Sequence, residues 1–512
     1  MAFGKEPHRG VEISLNALVE LLDDSFFERA SYDFRSAAGL PTDAPAPEEP
    51  EELTRKDVFQ HIGELLSSPR TDEGKRSRLV LLQRFVARAR VESVARPARL
   101  LLEQARGGTF SSTGKSYRLD EAQRELPRLN SRDARVALER DLGAYLTQSE
   151  GDWARWVDQL SLASQDLGQP LTELVGLIHG RPVSARLDAA KKLLADTHDA
   201  ALDLTGFALK RVDAQLTVKT ASEHDLDRAC LAPWLFESFR REDLEHAITR
   251  CLGDLGLNPS ADGRITVDAE TRAGRQHGAH VFELRVPDQV RLVLTVDLGF
   301  EAYSSWLNAW GLALHRAHVS RTLPFVERRL GDWAVVNAMA RLFESFLLEE
   351  GWLKRYLRLG SAAAREAARM FAFRQLIQLR RQAALALALP TLWKEGPGRR
   401  FSDEAVELLQ GAALVEVPRA KAPLELDVFG GQLLALDGAG LEAVVHDHLR
   451  ERFNEDYFRN PAAGRWLLDF ASRGQRDDAT VAASSILGLE QPSSEALDLA
   501  RAAHRRVERM SA

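Results

Sequence analysis

Ile265-Thr266-Val267, Val281-Phe282-Glu283-Leu284-Arg285-Val286 and the run from Val290 to Val296 precede Gly299 and a helix-patterned stretch. That stretch contains Tyr303, Trp306, Asn308-Ala309-Trp310-Gly311-Leu312-Ala313-Leu314-His315 and His318. The first three segments are β-branched and alternate along the chain, with a break at Pro287-Asp288, which predicts short strands. Tyr303, Trp306, Trp310 and Leu314 then recur at helical spacing and predict one side of a helix turned to the core. A small sheet feeding a long helix is therefore expected between about Gly263 and His318.

Outward from this stretch the chain reads as helical. Residues 11 to 35 carry apolar positions at helical spacing, and Leu40 to Glu52 is a run of Pro, Ala and Glu that predicts an exposed, flexible loop. From Thr54 to about Leu216 amphipathic segments rich in Leu, Ala, Arg and Glu follow one another, with breaks at Gly107-Gly108 and Gly168-Gln169-Pro170. No fixed-period self-similarity is visible, so the array is not a solenoid of repeats. After His318, helices are expected through Leu389, then a broken stretch from Pro390 to Gly431 and a helical C-terminus. The fold class is mainly α, a helical array with a small β-sheet. Residues 1–215 are expected to form a helical N-terminal region and 216–512 a second domain.

Composition narrows the function classes. With 512 residues, 45% of them apolar, the chain can bury a large core without metals or disulfides. Its 68 basic and 75 acidic residues leave a net charge of −7 with no long basic block, which argues against a nucleic-acid partner. Cys230 and Cys251 lack Cys-x-x-Cys spacing and are expected to be reduced, packed thiols. Met1 to Glu6 has no apolar core of the signal-peptide type, and no later segment is long and apolar enough for a membrane span, so the expected compartment is the cytoplasm.

Three kinds of motif invite a functional reading and are better explained structurally. Gly108-Thr109-Phe110-Ser111-Ser112-Thr113-Gly114-Lys115-Ser116 looks like a phosphate-binding loop but has five residues between its glycines instead of four, and a helical pattern before it; a helix-to-helix turn is expected. The pairs His277/His280, His315/His318 and His446/His448 are fragments of metal sites at most, because zinc needs three or four convergent ligands. The charged run Glu442 to Glu455 reads as a solvated helix face.

Asn308-Ala309-Trp310-Gly311-Leu312-Ala313-Leu314-His315, following a small sheet and Gly299, resembles the H-E-F-G-H-A-L-H helix of the thimet oligopeptidase and oligoendopeptidase family of gluzincin metallopeptidases. The Trp-Gly and Ala-Leu-His matches place Asn308 and Leu312 at the two histidine ligands and Ala309 at the glutamate base. Asn337-Ala338-Met339-Ala340-Arg341-Leu342-Phe343-Glu344 resembles the family's E-x-P-S-Q-x-x-E helix, with Asn337 at the third zinc ligand and Glu344 kept. Leu449 to Gly464 is similar to a segment common in bacterial relatives. Phe429-Gly430-Gly431-Gln432 falls where such relatives place a tyrosine that assists the tetrahedral intermediate. The matches cover about Arg275 to Gly488, with a weaker likeness around Gly114 to Leu142.

The resemblance implies a zincin-like oligopeptidase fold with a degenerate site. In the family, two histidines at i and i+4 and a glutamate hold zinc, and the neighbouring glutamate takes the proton from the metal-bound water. Here Asn308 and Asn337 offer neutral amides, Leu312 hydrocarbon and Ala309 no base, so no zinc and no cofactor are expected. The two former-ligand amides should lie close together, in reach of a hydrogen bond. The leading expectation is a catalytically inactive protein that binds a peptide or protein partner, with neither nucleic acid nor membrane as partner. Two alternatives stay open: an active metallopeptidase whose metal site has moved to His315 and His318 with Asp332 or Glu344, and a structural scaffold whose channel is filled by Trp306, Trp310 and Phe343.

Overall fold

The structure, a computed structural model, describes residues 14–42, 45–296 and 299–511. The reading of Met1 to Glu6 lies outside the described residues. Helices take up 71% of the described residues, and those that place the site are α1 (Leu15–Ala37), α2 (Glu73–Arg106), α3 (Leu171–His179), α4 (Phe300–His318), α5 (Trp333–Glu344), α6 (Ser361–Glu395), α7 (Gly431–Phe453) and α8 (Leu499–Ser511). The strands are β1 (Thr109–Ser112), β2 (Lys115–Arg118), β3 (Ile265–Asp268), β4 (Ala279–Arg285) and β5 (Gln289–Leu294). The mainly helical class with a small sheet ahead of α4 is what the sequence pattern indicates.

That sheet has the order β3-β5-β4, with β5 central, parallel to β3 and antiparallel to β4. Val290, Leu292 and Leu294 of β5 are buried, as a central strand with covered faces requires. Helix α4 follows directly and is tied to the end of the sheet by Trp306, whose indole N–H donates to the Thr295 carbonyl at 2.9 Å. One continuous apolar core takes in Leu18 and Leu22 of α1, Val86 of α2, Trp306 of α4, Phe343 of α5 and Ala503 of α8. Among the described residues no helix is long and apolar enough to cross a membrane.

Two readings of the chain need correction. The glycine-rich stretch is a β-hairpin and not a helix-to-helix turn: Phe110 pairs with Tyr117 across β1 and β2. Thr113 and Gly114 both take positive φ, 51° and 79°, the conformation that a tight two-residue hairpin turn demands. Pro390 does not break its helix either, since α6 runs for 35 residues with the proline inside it. Proline removes one helical hydrogen bond, but Ala386, Leu389, Leu392 and Trp393 are all buried around it. The Trp393 indole also donates to the Val428 carbonyl at 2.8 Å. Tertiary packing outweighs the local defect.

The Pro and Glu-rich run is coil over 45–50 and is held by side chains of the neighbouring helices. Arg29 donates to the Pro47 carbonyl at 2.7 Å, Ser25 to Glu49 at 3.3 Å, and Arg96 pairs with Glu48 at 3.1 Å. Both cysteines are free, and burial pushes each thiol up to about 12. Cys251 accepts the Trp352 indole N–H at 3.2 Å, which makes it a packing residue.

Helices α4 and α5 touch backbone to backbone at Gly311. A Cβ at that position would lie 2.6 Å from the Met339 carbonyl oxygen and 2.8 Å from the Ala340 Cα. Neither atom can swing aside as a side-chain end could, so Gly311→Ala must push the helices apart. A loss of about 2 kcal/mol or more is expected, read as a lower urea midpoint and melting temperature; an unchanged midpoint would mean that the helices do not cross there.

Candidate functional site

Helix α4 has two unlike sides. Trp306 and Trp310 are buried, and residues two apart on a helix lie roughly 200° round the axis. Asn308 therefore faces away from both indoles. Asn308 and Leu312, four residues apart, are half-buried, while Ala309 between them is buried. On α5 the half-buried positions are Asn337, Arg341 and Glu344, a single stripe at helical spacing flanked by buried Val336, Ala338, Ala340, Leu342 and Phe343. Solvent thus reaches one narrow strip of each helix, on either side of their close crossing.

The polar groups of the strip are unequally satisfied. Glu344 accepts from the Ser304 hydroxyl at 2.6 Å and from the Asn308 amide at 3.3 Å, so both of its oxygens turn toward α4. The hydrogen bond anticipated between Asn308 and Asn337 is not formed. Asn337 instead lies against α7, where a Cβ on Gly438 would be 2.8 Å from its Oδ1. That Oδ1 is buried and has no hydrogen-bond partner. Arg341, between the two on the same stripe, also has a buried Nε with no partner. Among the described residues no carboxylate lies within ion-pairing distance of its guanidinium.

The histidines do not gather. His315 is fully buried, its ring edge-on to Phe470 at 6.4 Å, with both ring nitrogens unpartnered. Burial, aided by the Arg316 charge, holds its pKa well below the ordinary value, so the ring is neutral. His318 Nδ1 lies 2.9 Å from the Leu314 carbonyl, back along its own helix. Asp332, a carboxylate considered with them, caps α5 through the Ala334 N–H and accepts from Arg181 at 2.6 Å. His280 is 2.8 Å from the His277 carbonyl, and the His448 ring lies 4.8 Å from that of Trp466. Among the described residues no group of three or more His, Cys, Asp or Glu side chains is arranged to hold a metal ion.

Phe429 is buried under the Arg88 guanidinium of α2, 5.0 Å above its ring. The next residue, Gly430, has φ 75° and rests against Val175 and His179 of α3. The segment that enters α7 is thereby docked on the N-terminal helices. The charged run starting at Glu442 also differs from the solvated face it suggests. Its first part, Glu442 to His446, is buried, with Glu442 bonded to Arg505 and Arg506, and His446 3.2 Å from Glu349. Only the part from Glu451 on is exposed.

Arg341 escaped the reading of the sequence as a site residue. The signal was present: it stands where the E-x-P-S-Q-x-x-E pattern has a neutral glutamine, and a cation there differs in kind.

A three-stranded sheet leads into α4, α5 crosses it and α7 is laid against α5, and the fold is the mainly helical, zincin-like one of the solved peptidases that superpose on it. No family model and no curated protein matches the sequence, but solved structures do. A PZ peptidase A with an inhibitor superposes with a TM-score of 0.64 at 13% identity, over 94% of this chain and 86% of that one. An M32 carboxypeptidase from Deinococcus radiodurans R1 gives 0.60 at 13% identity, over 97% and 99%. A putative oligoendopeptidase F from Bacillus anthracis gives 0.58 at 11%, over 97% and 89%. At these identities the likeness shows the fold alone.

Proposed function

We propose that this chain is a peptidase-like protein without zinc hydrolysis, which holds a peptide or a segment of a partner protein along the solvent-reached strip of α4 and α5. The observation that carries the reading is the donor set of that strip: two amides and a hydrocarbon at Asn308, Asn337 and Leu312, with the Glu344 carboxylate already engaged by Ser304 and Asn308. Such a set does not fit zinc, which takes imidazole, thiolate or carboxylate. Ala309 supplies no base. The strip keeps partial exposure, and Trp306 and Trp310 point to the opposite side of α4, which supports binding over a scaffold filled by those indoles. A neutral, buried His315 whose ring nitrogens have no partner among the described residues supports loss of the metal over its relocation. A cytoplasmic setting, with neither nucleic acid nor membrane as partner, completes the proposal.

The test is metal analysis of protein purified without chelator, together with cleavage and binding of a mixed library of short peptides with and without added zinc. Saturable binding without cleavage and without stoichiometric zinc is expected. One zinc per chain with zinc-dependent cleavage would overturn the reading and direct attention to His315 and His318.

A further inference from the structure

We infer that Arg341 anchors the ligand of this strip, and that what it takes is a carboxylate: the C-terminal carboxylate of a peptide, or an aspartate or glutamate side chain within one. The inference rests on the reading of the strip as a peptide-binding site and names the chemistry of its ligand.

Three observations lead there. First, Arg341 lies between Asn337 and Glu344 on the half-buried stripe of α5, with a buried, unpartnered Nε and no carboxylate within reach among the described residues. A guanidinium that has given up part of its hydration without gaining a counter-charge is costly to keep, and a ligand carboxylate repairs the deficit. Second, the acid nearest to it along the helix is held elsewhere, since Ser304 and Asn308 draw both Glu344 oxygens toward α4. Third, the half-buried stripe continues from Arg341 to Asn337 one helical turn away, so a ligand held by the guanidinium has room to run along α5.

A fork of guanidinium donors on a half-buried strip matches a ligand that carries a carboxylate, which a peptide has at its C-terminus or on an acidic side chain. The planar guanidinium suits a carboxylate in a two-point hydrogen bond, which a lysine cannot reproduce.

The experiment uses fluorescence anisotropy of the full chain with three dye-labelled mixed peptide libraries. One lacks Asp and Glu and is amidated at the C-terminus, one has the same composition with free C-terminal carboxylates, and one is amidated but contains Asp and Glu. The neutral, amidated library is expected to bind about tenfold more weakly, or worse, than at least one carboxylate-bearing library, from the loss of a charge-assisted hydrogen bond. Which of the two gains identifies the source of the carboxylate. Arg341→Gln is expected to remove the discrimination, and Arg341→Lys to restore only part of it. Equal binding of all three libraries, or discrimination that survives in a folded Arg341→Gln variant, overturns the carboxylate inference and leaves peptide binding standing. Failure of every library to bind overturns the reading of the strip itself. Should Arg341→Gln not fold, competition on the unaltered chain by N-acetylglycine against its amide decides the point: displacement of bound peptide by the acid alone is expected, and equal effects of acid and amide overturn the inference.

Discussion

Replacing Asn308, Leu312 and Asn337 together by His, His and Glu is expected to raise the zinc kept through dialysis to about one per molecule, against none expected for the unaltered chain. Two histidines four apart project from one side of α4, and the positions are half-buried, so new polar side chains there remain partly solvated. The third substitution comes from the helix that meets α4 at Gly311, where the backbones approach within contact of a single Cβ. Each single substitution provides only one ligand and should retain no metal. Ala309 is left in place, so the rebuilt site should bind zinc without cleaving peptides, because the base is still missing. Metal content after dialysis, with circular dichroism as a control for folding, reads the outcome. A folded triple variant free of zinc would sink the correspondence of these positions to a metal site, and with it the proposal of a lost activity.

How much of this was legible in the sequence follows from how local each feature is. The strands β3 to β5 and the buried side of α4 are written in alternation and helical periodicity, and both are found where the pattern puts them. The hairpin at Thr113-Gly114 was hidden by the strong helical pattern on its N-terminal side and by four-residue strands too short to show alternation. Pro390 suggests a break that does not occur, because the helix that contains it is held by Leu389, Leu392 and Trp393, which come to matter only through distant partners such as Val428. The strip on α4 and α5 was partly legible, through the likeness of two helical motifs. Its internal bonding was not: nothing in the sequence says that Asn308 turns to Glu344, seven residues beyond Asn337, or that Arg341 is left without a carboxylate. Glu442 is illegible for the same reason, since a charged residue in a charged run looks solvated until Arg505 and Arg506 arrive from the far end of the chain.

Glu442 is also where the largest loss of stability is expected. It is fully buried on α7 and accepts from Arg505 at 2.6 Å, Arg506 at 3.2 Å and the Ser345 hydroxyl at 2.9 Å, so one carboxylate joins α7 and α8 to the residue that follows α5. Glu442→Leu leaves Arg506 with no carboxylate among the described residues and Arg505 with only Glu349, 4.0 Å away. Removing one member of a buried ionic cluster typically costs about 3–5 kcal/mol, whereas removing all members together costs far less. The triple replacement of Glu442, Arg505 and Arg506 by leucine should therefore be more stable than Glu442→Leu alone. Acid adds an independent check. Burial alone would push the Glu442 carboxyl up, but Arg505 and Arg506 outweigh it and hold the group at about 2, below its usual 4.5. Of the two, Arg505 is the closer partner, at 2.6 Å against 3.2 Å for Arg506. A carboxylate whose folded-state pKa is depressed binds more protons when unfolded, so its contribution is complete above the usual carboxylate range and is lost as pH falls toward 2. At 1.36 kcal/mol per pKa unit that contribution is about 3 kcal/mol. Urea midpoints of the unaltered chain should fall between pH 5 and pH 2 more steeply than those of the triple leucine variant, which lacks the titrating group; parallel acid limbs would show that α8 is not held through Glu442.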